Sequence, residues 1–425
     1  MSGCFGVTID TSEAADPIAR RVTTRTDSHP PGHRRAAIRW QAVPVPSDDP
    51  IDAQTLPPQA HSPATPRRGR SHPVDREGLR ANVDTVLAQW ARQVRSTLVA
   101  VDEDLDAGVD AIDDLLRGGK RLRAAFCYWG WRGAGRSGND DIITVAAGLE
   151  LVQAAALLHD DIIDASDLRR GLPAAHRRLE AQHRARGWRG DPARFGEATA
   201  ILAGDLCLSA SAHLMHRGTA AMPTDRREAG LAVYDEMIVV LTAGQYLDVL
   251  VGARPNGPDA ARLATRVIQL KTISYTVDRP LAVGAALAGA SQQTRDAYHE
   301  YAEALGEAFQ LRDDVLGVYG DPDVTGKPSG DDLREGKQTL LVALARERCR
   351  GADAALLDRI GRPDLADTEI DDLRTLLADH ALDRVEARIS SLAESARVAA
   401  DTDVIDQPAR QVLLDLVEVA TRRQG

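Results

Sequence analysis

Three carboxylates lie within five residues of an otherwise apolar stretch: Asp160, Asp161 and Asp164. On a helix, residues i and i+4 share a face, so Asp160 and Asp164 point the same way and Asp161 lies about 100° around the axis. Like charges on one face destabilise a helix unless a cation lies between them. Oxygen ligands without a Cys or His set favour Mg²⁺, which takes one or two carboxylates and completes its shell with water and substrate phosphate.

A solvated acidic helix face is the more common explanation for such a cluster. It fits this stretch poorly, because Leu158 before the cluster and Ile162 and Ile163 within it predict burial. We therefore predict a magnesium site here. Such a site would need phosphate-binding cations and a second group of carboxylates elsewhere in the chain.

A second acidic pair, Asp313 and Asp314, follows Phe309 and Gln310 in another apolar helical stretch. Alone it would be weak support, since most paired acids are simply solvated. Two Asp-bearing helices that face one another could instead hold Mg²⁺ ions across a cavity. A diphosphate could bridge those ions, which would neutralise its charge as it leaves.

Lysine usage indicates where the matching cations lie. The chain has 52 Lys and Arg residues, of which four are Lys, so the remaining 48 are Arg. Lys offers a compact ammonium charge and Arg a planar fork, and the two are not interchangeable. We therefore expect function at the surviving lysines, all of which fall in motifs: Lys120, Lys271, Lys327 and Lys337.

Gly118 and Gly119 precede Lys120 at a predicted helix start, where free backbone N–H groups favour an anion. Lys120 and Arg123 are three residues apart and project from one face. An ordinary glycine break with a solvated basic turn is an equally good interpretation of this motif in isolation. A structural ion pair stays open as the role of Lys337.

Bulk composition narrows the class of protein. The 425 residues are 43% hydrophobic and only 4% aromatic, which favours helix over sheet. A net charge of -11 argues against a general nucleic-acid partner. Four widely separated cysteines predict neither a zinc site nor disulfides, and hence a cytoplasmic location. We also predict no transmembrane segment and no secretory signal.

Two regions are predicted from the distribution of residues. Residues 1–75 hold 11 of the 21 prolines and predict a disordered Pro/Arg-rich extension, with a transit peptide as the alternative. Residues 76–425 have helical periodicity throughout and predict one large all-α domain. The clearest helices are expected at about 142–166, 198–215, 227–251, 260–290 and 295–318.

Taken together, the motifs resemble those of the trans-polyprenyl diphosphate synthases, and more narrowly the geranylgeranyl diphosphate synthases of actinobacteria. The resemblance covers the chain from about residue 74 and rests on these motifs in order: Gly-Gly-Lys-x-x-Arg from Gly118, Asp160–Asp164 with Arg169-Arg170-Gly171, Gly204-Asp205, Gly244-Gln245, Lys271-Thr272, Phe309–Asp314, and Gly326-Lys327-Pro328.

The resemblance implies a helical bundle of the isoprenoid synthase type with a central cavity, usually a homodimer. Its members condense isopentenyl diphosphate head-to-tail with an allylic diphosphate (dimethylallyl, geranyl or farnesyl diphosphate) and use Mg²⁺. Metal binding is implied for Asp160, Asp161, Asp164, Asp313 and Asp314. Catalytic roles are implied for Asp160, Asp161, Asp164, Lys271 and Asp313.

Substrate contacts are also implied by the resemblance. Those to the allylic diphosphate are Arg169, Lys271 and Lys327, with Gln310 nearby, and Thr272 and Lys337 are further substrate-binding positions. Those to isopentenyl diphosphate are Lys120, Arg123, Arg170 and Gln153. One position departs from the family pattern, because the second acidic motif usually ends in a third Asp and this chain has Gly317 there.

In this family the residues just before the first Asp form part of the floor of the chain cavity. Here they are Ala155 and Ala156, with Val152 one turn deeper. Small residues leave room for a long chain, so we predict a C20 product, with a farnesyl or a longer-chain (C25 and above) product as alternatives. Alternative functions are a non-catalytic partner subunit of such a synthase, a class I terpene cyclase and a head-to-head synthase. Asp313-Asp314 and the Gly-Gly-Lys motif disfavour the cyclase, and the Gly-Gly-Lys and Lys-Thr motifs disfavour the head-to-head synthase.

Overall fold

A computed structural model describes residues 73–169, 171–253, 260–320 and 330–421, all within one compact unit, Arg67–Gly425. Arg170 and Lys327 lie outside the described residues, and so does nearly all of the predicted extension 1–75. The boundary at residue 76 therefore stays a prediction. The described chain is almost entirely helical, which confirms the all-α prediction.

The described helices fall into two groups along the chain. The first comprises α1 (Leu79–Val99), α2 (Asp106–Leu116), α3 (Leu122–Gly133), α4 (Asp140–Ile163), α5 (Ala175–Arg186), α6 (Pro192–Thr219), α7 (Thr224–Ala253), α8 (Ala260–Val267), α9 (Arg279–Ala288) and α10 (Gln292–Tyr319). The second comprises α11 (Asp331–Arg334), α12 (Leu340–Arg348), α13 (Ala352–Leu357), α14 (Asp367–Leu377), α15 (Asp383–Ala400) and α16 (Ala409–Thr421).

Helix α4 lies at the centre of the bundle. It begins at Asn139, whose side chain accepts a hydrogen bond from the N–H of Ile142 at 3.0 Å. Most of its residues are buried, and its main partner is α6. Glycines permit the close approach of these two helices, since a Cβ on Gly148 would lie 3.2 Å from the carbonyl oxygen of Ser211 on α6.

A π-helical turn interrupts the single helix predicted over about 260–290. Residues Ile268–Asp278 form this π segment between α8 and α9. Gly244 of α7 packs directly on it, because a Cβ there would lie 2.9 Å from the backbone nitrogen of Lys271. π-helical turns are rare overall, and those that occur are often at functional sites. This one carries Lys271 and Thr272.

Two short features escaped the sequence prediction. Helix α5 was not expected, and it packs against α6. The only strands in the described residues form one antiparallel pair of two residues each, with Leu168 opposite Pro173 and Arg169 opposite Leu172. This hairpin directly follows α4, so it fixes where Arg169 lies relative to the acidic end of that helix.

The prediction of no membrane-spanning stretch is wrong as a statement about length and composition. Helices α4, α6 and α7 are each long and apolar enough to cross a membrane. Burial distinguishes them, since 78% of the most apolar window of α4 is buried, against 44% for α6 and 11% for α7. The bundle core therefore accounts for the apolar character of α4 but not for that of α7.

Candidate active site

The first acidic group occupies the last turn of α4. Asp160 and Asp161 lie in this turn and Asp164 is the residue that caps it. The C-terminal end of a helix carries partial negative charge, so three carboxylates there raise the electrostatic cost of folding. Ile163, predicted to be buried, is 49% exposed, because the helix ends at this residue. Nearby cations must offset this concentration of negative charge.

Lys271 supplies one such cation. Its ammonium nitrogen lies 3.0 Å from Oδ1 of Asp160 and 2.9 Å from Oδ2 of Asp248 on α7. The amide of Gln245 donates a second hydrogen bond to Asp160 Oδ1 at 2.8 Å. Partial burial opposes the charge on Lys271, but the two carboxylates outweigh it and raise the pKa of its ammonium group. Helices α4 and α7 and the π segment therefore meet at one charged point.

Arg169 supplies the second cation. Its Nε donates to Oδ1 of Asp161 at 2.8 Å, and its Nη2 contacts the same oxygen. Asp161 is only 1% exposed, and its other oxygen, Oδ2, is buried without a hydrogen-bond partner. A buried carboxylate oxygen without a partner is costly, and a bound cation would satisfy it.

Asp164 lies at the C-terminal end of α4, four residues after Asp160. The surrounding protein raises its pKa to about 6, first through burial and then through the negative charge of Asp160, with smaller contributions from Asp248 and Glu335. Lys271 acts in the opposite direction. Glu335 belongs to the segment after α11, so the far side of the site is electrostatically close to the end of α4.

The second acidic group lies on α10. Asp314 is 6% exposed and accepts a hydrogen bond from the amide of Gln310 at 2.8 Å through Oδ1, while Oδ2 is buried without a partner. Burial raises the pKa of Asp314 to about 7, and the charge of Asp332 adds to that shift. Asp313 is partly exposed on the neighbouring face of the same helix.

Lys337 pairs with protein carboxylates. Its ammonium nitrogen lies 2.6 Å from Oδ1 of Asp332 and 3.1 Å from Oε2 of Glu335. These contacts favour the structural ion pair that the sequence left open for Lys337. The same residue remains close to Asp314, whose pKa its charge lowers.

The donor set fits Mg²⁺. The acidic groups offer only oxygen ligands, the type that this ion prefers. One carboxylate oxygen in each group, Asp161 Oδ2 and Asp314 Oδ2, is buried and unpaired. Both oxygens lack a polar partner among the described residues. Mg²⁺ ions with their bound water would satisfy them.

A pocket opens between the loop before α3 and the middle of α4. Lys120, Arg123 and Gln153 all line it, as do Glu150 and Leu157. The structure therefore brings together three of the four residues predicted to bind isopentenyl diphosphate. Gln153 and Asp160 are seven residues apart on α4 and share one face of that helix.

Tyr275 holds this pocket together. The guanidinium of Arg123 lies 3.9 Å from the centre of its ring, and Arg123 also donates to Oγ1 of Thr276 at 2.8 Å. The Tyr275 hydroxyl donates to Oε1 of Gln153. The two predicted pocket residues are thus fixed by neighbours on the π segment, where Lys271 also lies.

Glu150 fixes the loop before α3. It is 6% exposed, accepts a hydrogen bond from the N–H of Ala124 at 3.0 Å, and lies 3.7 Å from the guanidinium of Arg121. Arg121 has a left-handed backbone, with φ of 52°, and also pairs with Asp84 at 2.7 Å. These contacts set the direction in which Lys120 and Arg123 leave the loop.

The predicted floor residues divide between two faces of α4. Ala156 is half-buried and lies four residues before Asp160, on the face that carries Gln153. Ala155 is 1% exposed and Val152 is fully buried. Ala155 lies four residues before His159, whose ring nitrogen is 3.1 Å from the carbonyl oxygen of Ile201 on α6. Only Ala156 therefore shares the face of the charged site.

Sequence reasoning missed several residues of this arrangement: Glu150, Asp248 and Tyr275. Asp248 had a usable signal, since it lies three residues after Gln245 on one helix face. Tyr275 lies four residues after Lys271 in the same way. Glu150 owes its position to tertiary packing, for which the local sequence carries no pattern.

Comparisons with known proteins agree with this geometry. The polyprenyl synthetase family model matches residues 108–377, which include both acidic groups and the Lys120 loop. The chain belongs to the polyprenyl synthetase family. It is therefore a prenyl diphosphate synthase homologue and a transferase.

Relatives with different products match this family member. A geranylfarnesyl diphosphate synthase of Aeropyrum pernix is 31% identical over 72% of the chain and 91% of the relative. An octaprenyl diphosphate synthase of Escherichia coli is 29% identical over 80% and 99%. Their names differ in prenyl chain length, so similarity alone does not determine the product.

A solved structure with a similar fold is the geranylgeranyl pyrophosphate synthase of Corynebacterium glutamicum, in complex with isoprenyl diphosphate and magnesium. It is 35% identical, with a TM-score of 0.75 over 81% of this chain and 99% of that chain. The isoprenoid synthase fold expected from the sequence is confirmed.

Proposed function

We propose that this synthase uses Mg²⁺ to join isopentenyl diphosphate head-to-tail to dimethylallyl, geranyl or farnesyl diphosphate, and that its main product is geranylgeranyl diphosphate. One observation carries this proposal most directly. Lys271 and Gln245 converge on Asp160 at the end of α4, and Gln153, two turns earlier on α4, lines a pocket together with Lys120 and Arg123. These two positions support separate sites for two diphosphates.

The allylic diphosphate would lie at the acidic end of α4. Bound Mg²⁺ would neutralise the charge that develops on the diphosphate as the allylic C–O bond breaks. Asp160, Asp161 and Asp164 would hold the ions from α4, and Asp313 and Asp314 from α10. Lys271 and Arg169 contact two of these carboxylates and are placed to reach the same diphosphate. Lys327 is proposed for this region, and Arg170 for the isopentenyl diphosphate site, from the family resemblance alone.

Isopentenyl diphosphate would bind in the pocket of Lys120 and Arg123. The planar fork of Arg123 stacks on Tyr275 and keeps its orientation, while Lys120 adds a point charge. The double bond of isopentenyl diphosphate attacks the allylic cation, a C–C bond forms, and one proton must leave. The departing diphosphate is the base that we propose, since it lies next to the reacting carbons and no side-chain base is required.

A homodimer is proposed from the apolar surface that the bundle leaves uncovered. Leu202 of α6 is 67% exposed, and on α7 Val239 and Tyr246 are 67% and 66% exposed. Val239 and Tyr246 are seven residues apart and therefore lie on one face. A second copy of the chain would cover this face. A cytoplasmic location is proposed in addition, because Cys127, Cys207 and Cys349 are buried thiols without disulfides.

One assay tests the proposed activity. Purified full-length protein is incubated with Mg²⁺, labelled isopentenyl diphosphate and each allylic primer in turn, and the products are sized by chain length. We expect elongation that stops mainly at C20, and no elongation when EDTA is present. Absence of elongation with every primer would support the alternative of a non-catalytic partner subunit.

The Asp160→Asn variant provides the matched control in that assay. It keeps the shape of the side chain and removes the charge that faces Lys271. We expect its elongation rate to fall by at least about a hundredfold, which is typical of a lost contact in the transition state. An unchanged rate would contradict the assignment of the allylic site to the end of α4.

A further inference from the structure

The two acidic helices differ in one position. On α4 the carboxylates occupy positions i, i+1 and i+4, which are Asp160, Asp161 and Asp164. On α10 the corresponding positions are Asp313, Asp314 and Gly317. The side chain at i+4 is therefore missing from α10. We propose that Asp332, from the separate short helix α11, supplies this third carboxylate to the second metal-binding group.

The position of the Asp332 side chain carries this inference. A Cβ built on Gly317 would lie 2.0 Å from Oδ2 of Asp332 and 2.4 Å from its Cγ. Contacts this short cannot coexist, so the carboxyl group of Asp332 occupies the space that a side chain at position 317 would fill. Asp332 can therefore reach this face of α10 only because residue 317 is a glycine.

Burial and pairing keep Asp332 in that place. It is 7% exposed, and its Oδ1 accepts from the ammonium group of Lys337 at 2.6 Å. The backbone reinforces the pair, since the N–H of Lys337 donates to the carbonyl oxygen of Asp332 at 3.0 Å. A buried carboxylate with one cationic partner still has capacity for a second cation.

A neighbouring atom indicates that a ligand belongs beside Asp332. Asp314 is more than nine-tenths buried, and its Oδ2 has no hydrogen-bond partner. Gly317 lies three residues after Asp314 on α10, so the carboxyl group of Asp332 in its side-chain space lies on the same face as Asp314. A divalent cation between the two groups would remove their repulsion and satisfy the unpaired oxygen. A purely structural Asp332–Lys337 ion pair would leave that oxygen unsatisfied.

The test measures metal binding directly and rests on the proposed function only through the choice of probe. Mn²⁺, which also prefers oxygen ligands, is titrated into full-length protein with inorganic diphosphate and followed by electron paramagnetic resonance. We expect the wild-type protein to bind Mn²⁺ with diphosphate present, and Asp332→Asn or Asp332→Ala to weaken that binding about tenfold.

Moving the carboxylate back to α10 separates a metal-binding role from a structural one. Asp332→Ala combined with Gly317→Asp removes the steric conflict and places a carboxylate at i+4. We expect this double variant to bind Mn²⁺ within about threefold of wild type, although Lys337 has lost its ion pair with residue 332. Thermal unfolding in EDTA verifies that each variant is folded.

Asp367→Asn is the matched control. Asp367 lies on α14 and is 89% exposed. It pairs with Arg334 of α11, the short helix that also carries Asp332. We expect it to leave Mn²⁺ binding unchanged. The inference is overturned if Asp332→Asn binds Mn²⁺ as wild type does, if Asp367→Asn weakens binding equally, or if the folded double variant does not recover. A wild-type protein that binds no Mn²⁺ with diphosphate would overturn the proposed function together with this inference.

Discussion

Aspartates of the same site have different electrostatic surroundings. Asp160 and Asp161 each face a cation, Lys271 and Arg169 respectively. The buried Asp314 accepts a hydrogen bond from the neutral amide of Gln310, and burial disfavours its charged form. The protein therefore satisfies some carboxylates by itself and leaves others to be stabilised by what binds.

Asp314 makes the metal-free protein sensitive to pH. Its pKa is about 7 in the folded protein, against an ordinary value of 3.8. Below pH 3.8 both states hold the proton, so the group has no effect. As pH rises from 3.8 to 7 only the unfolded state releases the proton, and folding stability falls. Above pH 7 the full destabilisation is present.

We therefore predict that Asp314→Asn stabilises the metal-free protein more at pH 8 than at pH 5. The difference in the free energy of unfolding should be on the order of 2 kcal/mol, because each pKa unit corresponds to about 1.4 kcal/mol. Denaturant unfolding in EDTA at the two pH values measures it, with the exposed Asp367→Asn as control. An equal gain at both pH values would show that Asp314 is not held protonated.

At the level of the element, helix α4 presents different faces to different partners. Gln153, Ala156 and Asp160 share the face of the proposed substrate sites, and Ala155 shares the opposite side with His159, which contacts α6. Ala155 and Ala156 are adjacent in sequence, yet a bulky side chain would meet different surroundings at each.

We predict that Ala156→Phe shortens the product and leaves the protein folded, since this half-buried residue lies on the substrate face. Ala155→Phe is expected to shorten the product as well, but at the cost of α4–α6 packing, about 1–3 kcal/mol for an overpacked core. Product sizing together with thermal unfolding distinguishes the two effects. Unchanged product length in both variants would contradict the assignment of these residues to the floor of the chain cavity.

Local sequence predicted the long helices well because their apolar periodicity extends over many turns. It placed α10 at about 295–318, and the helix spans Gln292–Tyr319. It could not predict the π segment, since the close approach of Gly244 that accompanies it comes from another helix. It recognised the departure at Gly317 but not its compensation, because Asp332 reaches that space only through the tertiary fold.

At the scale of the whole molecule, the apolar face of α7 lies mostly uncovered. The most apolar stretch of α7 is 11% buried, whereas that of α4 is 78% buried. Extended apolar surfaces of this kind mark interaction sites in soluble proteins. A second copy of the chain is the partner that we propose, and the face joins α6 and α7.

We predict that Val239→Glu dissociates the dimer, because it places a charge in an apolar interface. Light scattering coupled to gel filtration should then show a mass near 45.8 kDa instead of twice that value. Val398→Glu is a matched control, since Val398 is 68% exposed on α15, against 67% for Val239. A wild-type protein that is already monomeric would contradict the proposed interface.

The spacing along α4 has a consequence for repeated rounds of elongation. Gln153 and Asp160 are seven residues apart, which corresponds to about 10 Å along the helix axis. In head-to-tail condensation the product keeps the diphosphate that came from isopentenyl diphosphate. In the proposed arrangement that diphosphate would start beside Gln153, and it would have to move about 10 Å to Asp160 before the product could act as the next primer. Processivity therefore depends on whether this translocation is faster than release, so the spread of product lengths reports the ratio of two rates as well as the depth of a cavity.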